Sequence, residues 1–101
     1  MNQRGGFGST PLHLATYRES PGEVRALLES NADPNAAGEY GERPLQVAIN
    51  CFHPEIIERL LRAGADPLLT DDQGADAWKI AGILGLTNQL QEIVTRAAST
   101  L

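Results

Sequence analysis

Cysteine occurs once in the 101 residues, as Cys51, so the chain can form neither an internal disulfide nor a multi-cysteine zinc site. Nothing in it calls for an oxidising compartment, and an intracellular, cytoplasmic setting is expected. Aromatic side chains are scarce, with one Trp, two Tyr and two Phe. Positive charge is the minority sign: 8 Lys and Arg stand against 13 Asp and Glu, a formal charge of −5. That balance argues against a general nucleic-acid or membrane-surface binder. No apolar run approaches the ~20 residues of a membrane-spanning helix, and Met1 to Gly8 hold no signal-peptide core. What remains is one small acidic domain over residues 1–101. Its hydrophobic fraction of 42% suffices for a core, although so short a chain buries only part of its surface.

What the chain does have is a repeat. Shifted by 33 residues, Gly8, Pro11, Leu12, Ala15, Pro21, Leu27, Leu28, Ala32, Asp33 and Pro34 fall on Gly41, Pro44, Leu45, Ala48, Pro54, Leu60, Leu61, Ala65, Asp66 and Pro67. Leu14/Val47 and Val24/Ile57 add conservative matches. These are glycine, proline and core-type residues, which backbone geometry and packing fix most tightly. A second shift carries on more weakly through Gly74, Ala81 and Ala98, with Ile80, Leu90, Ile93 and Val94 keeping apolar positions. Three units follow, at about 8–40, 41–73 and 74–101, the last degenerate.

Each unit reads as two short helices. Pro11 suits the first turn, where its missing N–H costs nothing, and Thr10 is placed to cap it. Ser20-Pro21 breaks the chain, and Val24, Leu27 and Leu28 then line one side of a second helix. Asn31, and Gly64 one unit on, tolerate the left-handed backbone of a helix stop. Neither helix pair can cover its own apolar face, so the units must stack.

Thr10-Pro11-Leu12-His13-Leu14-Ala15 is the T-P-L-H-x-A signature, and Asn31-Ala32-Asp33-Pro34-Asn35 and Gly64-Ala65-Asp66-Pro67 follow as turns. On these residues the chain resembles the ankyrin repeat family from Gly8 onward. The resemblance implies an all-α solenoid of inner and outer helices, with a β-hairpin finger between successive units. It also implies a structural job for His13, bonding the neighbouring Thr and the finger backbone. Arg43 and Gln46 replace Thr and His in the second unit, so a weaker cap network is expected there. Ala97 stands where a helix stop is due, so the last helix should run through Ala98, and Gln89, Gln91 and Glu92 give it the polar face of a terminal cap. At the other end, either the first unit is itself the cap or the chain was cut from a longer array.

Chemistry-bearing residues do not converge. His53 precedes Pro54 at a helix start and suits a cap; Cys51 alone suits a semi-buried packing position. Trp78 replaces a core leucine and is expected to pack between the second and third units. No phosphate loop, nucleophile elbow or metal-binding helix motif is present, so a non-enzymatic protein without cofactor or metal is expected.

The resemblance places binding on the finger tips and on exposed inner-helix positions. In this chain those are Phe7, Ser9, Glu39, Tyr40, Glu42, Asp72, Gln73 and Ala75 of the fingers, and Tyr17, Arg18, Asn50, Cys51, Ile83 and Leu84 of the inner helices. Phe7, Tyr17 and Tyr40 are aromatics that folding does not need there, and aromatics and Arg are the side chains that anchor interfaces. Glu39, Glu42, Asp71, Asp72 and Asp76 give the same edge one sign of charge. The expected partner is therefore another protein with a basic face, bound by Phe7, Tyr17, Arg18, Glu39, Tyr40, Glu42, Asn50, Asp72 and Gln73. On its own the chain is expected to be monomeric. An inhibitor or regulator of such a partner is the specific form of this reading; a scaffold fragment of a larger enzyme or multidomain protein is the alternative.

Overall fold

Proline opens the first four helices, each time at a position whose N–H has no partner inside the helix. The computed structural model describes residues 9–99. Among them are six α-helices: α1 (Pro11–Tyr17), α2 (Pro21–Glu29), α3 (Pro44–Cys51), α4 (Pro54–Arg62), α5 (Ala77–Leu84) and α6 (Thr87–Ala98). The inner helices are α1, α3 and α5, and the outer helices are α2, α4 and α6.

Local chemistry sets the ends. The Thr10 hydroxyl accepts from the backbone N–H of His13 at 3.3 Å, and Asp76 accepts from that of Lys79 at 2.8 Å. The third unit thus keeps a helix cap although its signature is gone. His53 accepts from the N–H of Ile56 at 3.4 Å, a cap as expected. Asn31 and Gly64 take φ of 71° and 105°, the left-handed stops read from the sequence. With no such stop at Ala97, α6 extends to twelve residues where α2 and α4 have nine.

Stacking follows the repeat. The inner helices α1 and α5 both pack on α3, and the outer helices α2 and α6 both pack on α4. Ala15, Ala48 and Ala81, one per unit, are fully buried and small enough to let the inner helices approach closely. Val24, Ile57 and Leu90 form the corresponding buried row in the outer helices. Burying each such Val, Ile or Leu contributes roughly 1.5–3 kcal/mol. Trp78 is half-buried and packs against this core. Leu27 is also only half-buried, whereas Leu60, its counterpart one unit on, is fully buried between α2 and α6 neighbours.

The expected β-hairpin fingers do not form: no strand occurs among the described residues. The first finger closes with one backbone bond, Gly38 N–H to the Glu42 carbonyl at 2.8 Å, around a 3-10 turn over Glu39–Gly41. The second closes likewise with Asp71 N–H to the Ala75 carbonyl at 2.9 Å. Each tip, three residues between its bonded ends, is closed by a single such bond, too few for a ladder. Tyr40 and Gly41 turn the first tip with φ of 61° and 75°. A side chain at Gly41 would meet Asp72 of the next finger, so glycine there serves both the backbone angle and the close approach.

Candidate functional site

Adjacent fingers are bolted together, and this fixes the surface they present. Asp72 donates its N–H to the Tyr40 carbonyl at 3.0 Å. Gln46 donates from Nε2 to the Ala75 carbonyl at 2.8 Å, while its Oε1 accepts from the N–H of Arg43 at 2.8 Å. One unit earlier His13 does the same work: Nδ1 faces the Thr10 N–H at 3.3 Å and Nε2 lies 2.9 Å from the Glu42 carbonyl. A carbonyl can only accept, so Nε2 of His13 carries the proton and donates it. The ring is fully buried and acts as a tie, as the resemblance implied.

The weaker network expected in the second unit is only half right. Gln46 reproduces both bonds of the histidine ring, one within its unit and one to the next, and only the Thr hydroxyl is missing. Arg43 adds new ties in its place, donating to the Asn35 carbonyl at 3.0 Å and to the Thr70 carbonyl at 3.1 Å. Asn35 completes the set, donating to the Gly64 carbonyl at 3.1 Å and accepting from the Asp66 N–H at 2.7 Å.

Between the inner helices and these fingers lies a cleft of about 280 Å³. Its walls come from α1 (Tyr17), α3 (Gln46, Val47, Asn50, Cys51) and α5 (Ile80), and its rim from the fingers (Tyr40, Glu42, Asp71, Gln73). Five of the nine residues expected to bind the partner therefore meet, Tyr17, Tyr40, Glu42, Asn50 and Gln73, together with the inner-helix position Cys51. Glu39 and Asp72 sit on the same fingers without lining the cleft. Arg18 turns away, pairing with Glu23 of α2 at 3.3 Å. Phe7 lies outside the described residues. Ile83 and Leu84 are exposed at the end of α5, beyond the cleft.

Gln46, Val47 and Ile80 are the wall residues that sequence reasoning left out of the site, and Asp71 on the rim was read only as part of the acidic edge. Val47 and Ile80 occupy the Leu14 position of their units and read simply as packing. Gln46 was findable by offset, since it stands on His13 and offers both a donor and an acceptor.

The cleft is electrostatically one-sided. Glu42 presents Oε2 to the Tyr17 hydroxyl at 3.5 Å, the outer limit of a hydrogen bond. Its Oε1 is sealed from solvent with no hydrogen-bond partner. Gly38 makes room for that oxygen: a Cβ there would stand 2.6 Å from it. Burial pushes the Glu42 carboxyl above its ordinary range; the Tyr17 hydroxyl pulls it down, and the charges of Glu39 and Asp71 push it further up. Burial, then the Glu42 carboxylate, likewise raises the Tyr17 phenol. The Cys51 thiol is raised by burial and by Glu19, which favours the unreactive protonated form over a nucleophilic thiolate.

Among the described residues no helix is long and apolar enough to cross a membrane. No curated protein matches the chain. The family description "ankyrin repeats (3 copies)" does match, over residues 1–71, that is, the lead-in, the first unit and nearly all of the second. Members of that family are generally protein–protein interaction modules. Signature, stacking order and family match agree, and the chain belongs to the ankyrin-repeat family.

Proposed function

We propose that this protein is a non-enzymatic binding module whose concave face, made by the cleft and the finger tips, holds a partner protein with a basic surface. The observation that carries the reading is the exposed pair Tyr17 and Tyr40 at a cleft whose rim carries Glu42 and Asp71. Tyrosine offers large amphipathic contact area at little entropic cost, and such anchors near the centre of an interface carry most of its energy. The surrounding Glu39, Glu42, Asp71 and Asp72 speed encounter with an oppositely charged face and reject acidic ones. An inhibitor or regulator of a basic partner is the specific form of this role. A setting inside the cell is part of the same reading, supported by the free thiol of Cys51.

The test is affinity capture from native lysate with the unaltered domain and with Tyr17→Ala/Tyr40→Ala, once both show the same circular dichroism and melting. Each anchor contributes roughly 1–3 kcal/mol, so the double variant should lose the partner. Equal capture by both proteins would remove the concave face from consideration. A second reading, in which the domain is one part of a longer repeat array, is favoured by the partly exposed Leu14 and Leu27 of the first unit. Further repeats upstream in the native reading frame would support it.

A further inference from the structure

The Glu42 carboxylate is the least satisfied polar group of the cleft. One oxygen has no partner and the other has a single contact at 3.5 Å. Removing a carboxylate from water without donors is costly unless a cation compensates. Yet no described cation compensates it. Arg43, the nearest in sequence, directs Nη1 and Nη2 to the Asn35 and Thr70 carbonyls, and its buried Nε makes no bond to Glu42 or to any other group. Arg18 is paired with Glu23. Asp71 sits on the same rim, and its Oδ1 is already committed to the N–H groups of Gln73 and Ala75 at 2.9 and 3.0 Å. Tyr17, Tyr40, Val47 and Ile80 supply the apolar and aromatic part of the same lining.

We propose that the cleft receives one basic side chain, lysine or arginine, presented by the partner, with its aliphatic stem along Val47 and Ile80 and its cationic head at Oε2 of Glu42, beside Tyr17 and Tyr40. This rests on the concave face being the binding face and adds what that face recognises. The volume of about 280 Å³ suits one long side chain and falls just below the ~300–1,000 Å³ usual for small-molecule sites. Lysine and arginine lay apolar stems on apolar surface while placing the charge elsewhere. A cation close to tyrosine rings gains from their quadrupole, more so when partly desolvated. Tyr40 is 73% exposed and held at φ of 61°. An occupant beneath the ring would cover that exposed surface, while the backbone of the turn stays as it is. The raised Glu42 carboxyl has the sign expected of a carboxylate lacking a counter-ion.

The experiment titrates the isotope-labelled domain with glycine-flanked, end-capped pentapeptides carrying a central lysine, arginine or ε-acetyl-lysine. Amide shifts should cluster at Tyr17, Tyr40, Asn50 and Gln73 and saturate with lysine or arginine, while the neutral acetyl-lysine binds about tenfold more weakly. On saturation the Glu42 carboxyl, followed by carbon NMR, should titrate at lower pH than in the free domain. Glu42→Gln should weaken lysine binding about tenfold, and Glu29→Gln, on the exposed side of α2, should leave it unchanged. Binding of acetyl-lysine equal to lysine, an unmoved Glu42 titration, or shifts spread over the outer helices would each overturn the proposal. The first two readouts use the unaltered chain, so they stand whatever a variant does to folding. Failure of the peptides alongside tyrosine-dependent capture would reject the inserted side chain and keep the face; capture indifferent to the tyrosines would reject the face itself.

Discussion

Gln46 offers the sharpest test of how the units are held together. Its side chain is almost wholly buried, accepting from the Arg43 N–H and donating to the Ala75 carbonyl, both at 2.8 Å. Gln46→Leu keeps the volume and removes both bonds. The Arg43 N–H is left without its partner, a loss of about 1–3 kcal/mol for a buried donor. The Ala75 carbonyl keeps the N–H of Asp71, so the second loss is only the net value of one bond, about 1 kcal/mol. Arg43 is half-buried and leucine gains some apolar burial, so the net expectation is a loss of about 2 kcal/mol. Gln46→His should lose less than about 1 kcal/mol, because His13 makes the same two bonds at the equivalent place. Urea unfolding followed by circular dichroism reads the difference: with a slope near 1 kcal/mol per molar urea, the leucine variant's midpoint falls by about 2 M. Equal midpoints for the leucine and histidine variants would refute the assignment of Gln46 as the inter-unit tie. The tie also positions Tyr40 and Gln73, so partner affinity should fall with leucine and hold with histidine.

The remaining predictions concern charge, core and helix stop. Glu42 has a raised folded-state pKa, so its contribution to stability is present below the ordinary carboxyl value and lost as pH rises through the raised one. Glu42→Gln should therefore stabilise the free domain at neutral pH, with the gain vanishing in acid; melting curves across pH would show it. Glu58 is the opposite case: its hydrogen bonds to Arg96 and Arg62 hold it below the ordinary value, so its contribution is present at neutral pH and lost as pH falls through the lowered value. Glu58→Gln should lower melting at neutral pH and converge with the unaltered domain in acid. Leu60→Ala, in the fully buried position, should cost ~3–5 kcal/mol and Leu27→Ala, half-buried at the first unit, ~1–2 kcal/mol, by urea unfolding; equal losses would contradict the difference in burial. Asn31→Gly should be neutral or slightly stabilising at φ of 71°, and a marked loss of melting temperature would contradict the left-handed stop.

The repeat made most of the scaffold legible because its identities sit where geometry is least forgiving. Pro11 and Pro44 fix helix starts, Asn31 and Gly64 fix stops, and Ala15, Ala48 and Ala81 fix how closely the inner helices approach. The fingers were less legible. Their turn residues were visible, but whether a turn extends into a ladder depends on how the flanking residues pair, and here each finger has one closing bond around three residues. Arg18 was assigned to the site by its position, yet the nearby Glu23 draws it to the side of α2. Arg43 and Gln46 looked like departures from a motif, and Asn35 like the last residue of a turn. They prove to be the inter-unit bolts, because a hydrogen-bond role can pass between residue types that share donors and acceptors.

The central claim is that the cleft and its fingers, rather than the outer helices, meet the partner. It is tested most directly by titrating the isotope-labelled domain with a captured partner and mapping which amides change. The account predicts a footprint over Tyr17, Tyr40, Glu42, Asn50 and Gln73. A footprint centred on α2, α4 and α6 would contradict it.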